Sequence, residues 1–183
     1  MDPFATLGIN ASYDVDLKAI ERRHRELSRA LHPDKYAAAG ASERREALGR
    51  AVEVNEAWRI VRDSIRRAEA LFQRAGIATG ETNEPKPSGA FLMDMLEQRE
   101  ALAEAKAGHD KKQIEALARE IEARRAAIEK ALGAGFNAAN GDANALGPLV
   151  SKLGELRFYR RFLEEVSAIE DEMENGNGAP RDL

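Results

Sequence analysis

Residues 17–36 read LKAIERRHRELSRALHPDKY, and this stretch decides how the first part of the chain folds. Its apolar side chains recur at helical spacing and form one stripe, made of Leu17, Ile20, Leu27 and Leu31. Proline disfavours α-helical geometry in the residue before it, so we expect this helix to end near Leu31, just before His32 and Pro33. The stretch therefore predicts an amphipathic helix that runs directly into a stiff turn.

The flanking residues complete a helical domain over residues 1–75. Residues 3–7, closed by Gly8, predict a short opening turn, and Asp14 and Asp16 are both candidate caps for the long helix. After the turn, Ser42 is a candidate cap for a second long helix. The apolar side of that helix carries Leu48, Ala51, Val54, Trp58 and Val61. A final short helix carries Ile65, Ala68, Leu71 and Phe72.

The remaining residues predict a second helical domain. Glycine and proline are dense in residues 76–89, which we interpret as a linker. Helical periodicity then predicts helices over about residues 90–107, 110–133 and 144–174. A three-helix bundle over residues 90–174 is the simplest way to bury their apolar stripes, with residues 133–148 as a loop and residues 175–183 as a disordered tail. Since no stretch shows convincing β-strand alternation, the whole chain is expected to be all-α.

Composition limits the classes of function. Lysine and arginine number 28 against 32 aspartates and glutamates, whereas a general nucleic-acid binder carries a positive excess. No cysteine is present, so disulfides, thiolate nucleophiles and zinc–thiolate sites are excluded. The N-terminus lacks the pattern of a secretion signal, and no apolar run approaches the roughly 20 residues that cross a bilayer. We therefore expect a bacterial cytoplasmic protein that contacts no membrane.

Four cationic side chains share one face of the first long helix: Lys18, Arg22, Arg25 and Arg29. Such a pattern is usually a solvated face. Here it lies beside a turn that Pro33 stiffens, because proline fixes its own backbone angle, so His32 and Asp34 are presented reproducibly. A stiff loop with one carboxylate next to a cationic helix suits docking onto an acidic protein surface.

Residues 91–100 read FLMDMLEQRE and carry more apolar surface than one core face requires. Because a helix turns about 100° per residue, Phe91, Met95 and Leu102 fall on one side and can form its core stripe. It does not explain Met93, which lies roughly opposite this stripe. Around Met93 lie Glu97, Glu100 and Glu104.

In the last helix, Phe158 also falls off the core stripe. One interpretation is that the helix at residues 91–100 is buried on two sides of the bundle. The other is an apolar binding patch with an acidic border, because such patches often mark partner surfaces. Its apolar members would be Leu92, Met93, Leu96 and Phe158.

Residues 1–75 resemble a J-domain, the module that stimulates ATP hydrolysis by DnaK-type chaperones. The resemblance rests on His32-Pro33-Asp34 between two amphipathic helices, the first of which is rich in arginine. It implies that the basic helix docks on the chaperone and that the turn triggers hydrolysis. The chaperone-binding residues so implied are Lys18, Arg22, Arg25, Arg29, His32, Pro33 and Asp34.

The second half is similar, more specifically, to the HscB (Hsc20) family. Phe91-Leu92-Met93 opens the predicted bundle, Leu96-Glu97 and Arg99-Glu100 follow, and the last helix carries Leu156-Arg157-Phe158. The resemblance covers nearly the whole chain and implies that the C-terminal domain binds an IscU-like iron–sulfur scaffold protein. The scaffold-binding residues so implied are Leu92, Met93, Leu96, Glu97, Glu100, Glu104 and Phe158.

The resemblance predicts a co-chaperone of iron–sulfur cluster assembly that delivers the scaffold to a DnaK-type (HscA-like) chaperone and stimulates its ATPase. We expect no enzymatic activity, cofactor or metal in this chain, since it has no phosphate-binding Gly-rich loop with lysine and no nucleophile motif. His24 and His109 are interpreted as surface residues. Two alternatives stay open: a J-domain co-chaperone for a different client, and a helical nucleic-acid-binding protein that uses the basic helix.

Overall fold

A computed structural model describes residues 1–80 and 85–176 of the chain. Every regular element among these residues is helical, so the predicted all-α fold is confirmed. They form two compact units. The first comprises Met1–Gly80 and Leu132–Pro148, and the second comprises the described residues that remain. No helix in either described stretch is long and apolar enough to span a bilayer.

The first unit opens with four consecutive helices: α1 (Pro3–Leu7), α2 (Leu17–Ala30), α3 (Ala41–Arg62) and α4 (Ser64–Arg74). Side-chain caps explain where three of them begin. Asp2, Asp16 and Asp63 each accept hydrogen bonds from backbone N–H groups in the first turn of α1, α2 and α4. Leu31 ends α2, as the proline two residues later predicts. A 3-10 turn, Pro33–Tyr36, then leads toward α3.

The core of the first unit lies where α3 packs against α1, α2 and α4. Its buried side chains include Phe4, Leu7, Tyr13, Ile20, Val54, Ala57, Val61, Ile65, Ala68, Leu71 and Phe72. Leu17 and Leu48 do not belong to it, contrary to prediction, because they are 43% and 60% exposed. Leu17 is the first residue of α2, and Leu48 lies one residue off the buried side of α3. The predicted cap Ser42 is also wrong, since the extended backbone of Gly40 starts α3 two residues earlier.

The second unit is built from α5 (Gly89–Ala107), the part of α6 (Lys111–Ala139) that precedes residue 132, and α8 (Ser151–Gly176). One core receives apolar side chains from all three helices: Met95, Leu102, Ala105, Ile114, Leu117, Ile121, Tyr159, Phe162, Val166 and Ile169. Three helices around a shared core agree with the predicted bundle. A short helix, α7 (Ala143–Leu146), and a 3-10 turn, Gly147–Leu149, lie between α6 and α8.

A loop was predicted from residue 133, and this is wrong because α6 continues to Ala139. The helix continues for about two turns past Gly133. Because glycine has no side chain, Asp14 can approach the helix at this position: a Cβ on residue 133 would lie 2.9 Å from the Asp14 Cγ. Asn137 Nδ2 donates a hydrogen bond to Asp14 Oδ2 at 3.0 Å. Phe136 packs against Phe72, with ring centroids 4.9 Å apart. These contacts override the low helix propensity of glycine.

Residues 132–148 therefore pack with the first unit. The predicted domain boundaries, 1–75, 76–89 and 90–174, stay a prediction, and the two compact units divide the chain differently at this segment. The disordered tail was predicted from residue 175, but α8 continues to Gly176. The rest of that tail, residues 177–183, and residues 81–84 of the predicted linker lie outside the described residues.

A double-mutant cycle tests the contact between Gly133 and Asp14. Replacing a helix-interior glycine with alanine stabilises a helix by about 1 kcal/mol, but here the new methyl group would displace the Asp14 carboxylate. We therefore expect Gly133→Ala to give this gain only in an Asp14→Ala background. Urea unfolding, followed by circular dichroism, measures the four free energies of unfolding. Simple additivity of the two substitutions would contradict the contact.

Candidate protein-binding surfaces

The turn after α2 presents its side chains to solvent. His32 has extended backbone geometry, and Pro33 begins the 3-10 turn. The Asp34 N–H donates a hydrogen bond to His32 Nδ1 at 3.3 Å, which orients the imidazole ring. The Asp34 side chain is 90% exposed, and its Oδ2 lies 3.4 Å from the same ring nitrogen. The three residues thus form one local structure with an accessible carboxylate, called the His-Pro-Asp turn below.

The four cations predicted on one face of α2 are all exposed, and they are called the basic face: Lys18, Arg22, Arg25 and Arg29. Arg25 forms an ion pair with Glu21, one turn earlier in the helix. Within the described residues, the other three cations take part in no ion pair. An exposed pair of this kind is worth only about 0.3–0.5 kcal/mol, so Arg25 can exchange its partner at little cost. The positive charge of the basic face is therefore exposed to solvent.

His24 holds α2 against α3, which corrects its interpretation as a surface residue. Its ring stacks on Trp58 with centroids 5.5 Å apart, and its Nε2 lies 2.9 Å from Asn55 Oδ1. His24 lies one turn after buried Ile20, so helical spacing was a usable signal for this role. The contact leaves the basic face pointing away from α3. His109, in contrast, is exposed as predicted.

The outer side of α5 carries the exposed apolar residues of the second unit. Met95 and Leu102 are 4% and 1% exposed and lie in the core. Leu92, Met93 and Leu96 are 42%, 58% and 50% exposed. The interpretation that α5 is buried on two sides is therefore wrong for this unit.

Phe158 lies on α8 next to the start of α5. Its ring meets the Phe91 ring edge-on with centroids 5.6 Å apart, and Phe91 directly precedes Leu92. The guanidinium carbon of Arg161 lies 4.8 Å from the centroid of the Phe158 ring, a cation–π arrangement. Phe158 is half-buried between these partners. The structure thus brings α8 to the N-terminal end of the exposed apolar row.

The acidic border also lies on α5. Glu97, Glu100 and Glu104 are exposed, and within the described residues none of them takes part in an ion pair. We call the whole set the apolar–acidic patch: Leu92, Met93, Leu96, Glu97, Glu100, Glu104 and Phe158.

Two residues that support this patch were missed in the sequence analysis. Asp94 binds Arg124 of α6 and so ties α5 to α6; this hydrogen bond is the main reason that the pKa of Arg124 is raised. Tyr159 is buried against Phe91, and burial, helped by the charge of Glu155, raises the pKa of Tyr159. Tyr159 lies one turn after buried Leu156, and this helical spacing was the signal in the sequence that Tyr159 is buried.

Within residues 1–80 and 85–176, no cluster of three or more histidine, aspartate or glutamate side chains is arranged to hold a metal ion. The candidate functional surfaces of the described residues are the His-Pro-Asp turn, the basic face and the apolar–acidic patch.

Known proteins resemble the chain over nearly its full length. Residues 88–167 match the family described as the HSCB C-terminal oligomerisation domain. The chain is 35% identical to the co-chaperone protein HscB homolog of Cupriavidus taiwanensis, over 95% of this chain and 96% of that protein. It is 34% identical to the HscB homolog of Bordetella avium, over 92% and 97% of the two chains.

Solved structures share its fold. The chaperone HscB from Vibrio cholerae superposes with a TM-score of 0.80 at 25% identity, over 94% of this chain and 99% of that chain. The human co-chaperone protein HscB superposes with a TM-score of 0.81 at 20% identity, over 93% of this chain and 82% of that chain. At this identity the likeness concerns the fold alone. The helical fold and the similarity to these relatives together define the chain as a J-domain co-chaperone. The chain belongs to the HscB family, the co-chaperone family of iron–sulfur cluster assembly that its motifs resemble.

Proposed function

We propose that this co-chaperone acts in the bacterial cytoplasm as an adaptor between an IscU-like scaffold protein and a DnaK-type (HscA-like) chaperone. The scaffold binds the apolar–acidic patch of the second unit. The basic face and the His-Pro-Asp turn of the first unit then engage the chaperone and stimulate its ATPase. The observation that carries this proposal is the exposure of Leu92, Met93 and Leu96 on a helix whose opposite side is buried.

The patch has the chemistry of a binding surface of moderate strength. Fully burying an exposed leucine or methionine side chain contributes about 1.5–3 kcal/mol, and these three side chains are already about half covered. A partner that covers all three would therefore gain a few kcal/mol, enough to change affinity by roughly a hundredfold. The acidic border adds specificity, because Glu97 and its neighbours favour a partner with cations around an apolar centre.

In this proposal the first unit associates rapidly with an acidic surface of the chaperone. Opposite charges steer association and set the orientation of the encounter. The basic face supplies these charges, and the His-Pro-Asp turn at its end places the Asp34 carboxylate in solvent. Since this chain has no phosphate-binding Gly-rich loop with lysine, the stimulated ATPase is that of the partner.

The substitution Asp34→Asn tests the turn. We expect it to abolish stimulation of the cognate chaperone's steady-state ATPase, because the carboxylate is lost while the backbone hydrogen bond to His32 remains. Its melting temperature and scaffold affinity should match those of the wild type, since the side chain is almost fully exposed. Glu53→Gln, which neutralises an exposed carboxylate on α3, is the matched control. Retained stimulation in Asp34→Asn would refute the assigned role.

Substitutions of Met93 and Phe158 test the patch. We expect Met93→Ala to raise the dissociation constant for the purified scaffold roughly tenfold, and Met93→Ala with Phe158→Ala to raise it roughly a hundredfold. ATPase stimulation without scaffold should not change. Calorimetric titration measures the affinity, and Leu48→Ala, which trims an equally exposed side chain of the first unit, is the control. An unchanged dissociation constant for Met93→Ala would dismiss the patch.

A further inference from the structure

The turn that follows α6 contains the dipeptide Asn140-Gly141. Both residues have left-handed backbone geometry, with φ angles of 44° and 86°. Glycine adopts this geometry without steric cost, and asparagine adopts it more readily than most residues that carry a side chain. Both residues are exposed, and both line a cavity of about 380 Å³ in the first unit. Water therefore reaches the side-chain amide of Asn140 and the backbone nitrogen of Gly141.

The backbone hydrogen bonds of this turn leave the Gly141 N–H unused. Asn140 N–H donates to Phe136 O at 3.3 Å, and Asp142 N–H donates to Ala139 O at 2.8 Å. Within residues 1–80 and 85–176, neither the Gly141 N–H nor the Asn140 side-chain amide forms a hydrogen bond. Because glycine has no Cβ, the Gly141 nitrogen is also sterically unhindered. It can therefore approach the Asn140 Cγ by rotation about the Asn140 Cα–C bond.

The neighbouring asparagines lack this combination of features. Asn137 is exposed as well, but its Nδ2 donates a hydrogen bond to Asp14 Oδ2 at 3.0 Å, and Ala138 follows it. Asn144 lies within α7 and is followed by Ala145, whose methyl group crowds the backbone nitrogen that would have to react. Of the three asparagines from residue 137 to residue 144, one therefore combines an unbonded amide with a following glycine.

We propose that Asn140 is a site of spontaneous deamidation, a covalent modification that the chain carries out on itself. The Gly141 nitrogen attacks the Asn140 Cγ and forms a C–N bond with it. The bond from Cγ to Nδ2 breaks, and ammonia leaves with the proton of the Gly141 N–H. Water then opens the resulting succinimide ring: opening at Cγ gives aspartate at position 140, and opening at the backbone carbonyl carbon gives isoaspartate. The net reaction consumes water, releases ammonia and needs no oxidant or reductant.

Isoaspartate at this position weakens the packing of the first unit, because the backbone then runs through the former side-chain carbon and is longer by one atom. The hydrogen bond from Asp142 N–H to Ala139 O spans position 140, so the lengthened backbone no longer fits it. This bond closes the turn at the end of α6, where Phe136 packs against Phe72. The modification therefore loosens residues 132–148 from the rest of the first unit.

Incubation of the purified chain at mildly alkaline pH, sampled over time, tests this inference. Trypsin releases residues 131–152 as one peptide, so tandem mass spectrometry compares Asn137, Asn140 and Asn144 in the same sample. We expect deamidation at Asn140 to be at least about tenfold faster than at the other two positions. The Asn-Gly pairs within residues 175–178 fall in a different tryptic peptide. Comparable rates at the three positions, or no modification of Asn140, would overturn the inference.

Two substitutions separate the longer backbone from the new charge. Asn140→Gly suits the left-handed geometry and removes the amide, so its melting temperature should not change during the incubation. Freshly purified Asn140→Asp carries the charge without the extra backbone atom and should melt close to fresh wild type. We expect the melting temperature of the wild type, followed by circular dichroism, to fall by a few degrees as isoaspartate accumulates. An equal fall in Asn140→Gly would overturn the assigned consequence, because the loss would then arise elsewhere in the chain.

Discussion

The distribution of apolar side chains around α5 is the constraint on which the second unit depends. Burial of Met95 and Leu102 in the bundle core sets the rotation of α5 about its axis. Because a helix turns about 100° per residue, this rotation leaves Met93 on the outer side, with its apolar neighbours beside it. The folded chain therefore carries exposed apolar surface that only a partner can remove from water. The packing that stabilises the fold therefore also leaves exposed the apolar surface to which the proposed function assigns the scaffold.

The first unit differs from the second because its exposed features are the positive charge of the basic face and the stiff backbone of the His-Pro-Asp turn. Stacking of His24 on Trp58 holds α2 against α3 by one side, so the basic face stays on the other. Pro33 ends α2 at the adjacent position and sets the backbone of the turn. Two surfaces of different chemistry thus belong to one chain: one is cationic, and the other is apolar with an acidic border. A chain with both surfaces can bring two partners together, which is the physical basis of the adaptor proposal.

Features set by neighbouring residues were predictable from the sequence. The end of α2 before Pro33 and the buried side of α5 both follow from local rules of proline geometry and helical spacing. Features set by distant contacts were not. Glycine at position 133 indicates a helix end by propensity, yet α6 continues there because Asp14 and Asn137, 123 residues apart, are hydrogen-bonded.

The proposed function requires the His-Pro-Asp turn and the apolar–acidic patch to act from one chain. The most direct measurement is the scaffold-dependent increase in the cognate chaperone's steady-state ATPase, with an equimolar mixture of Asp34→Asn and Met93→Ala chains as the co-chaperone. Each chain in this mixture keeps one surface intact. We expect that the mixture fails to restore the increase seen with the wild-type chain at the same total concentration. Full restoration would contradict it, because the two surfaces would then work from separate chains.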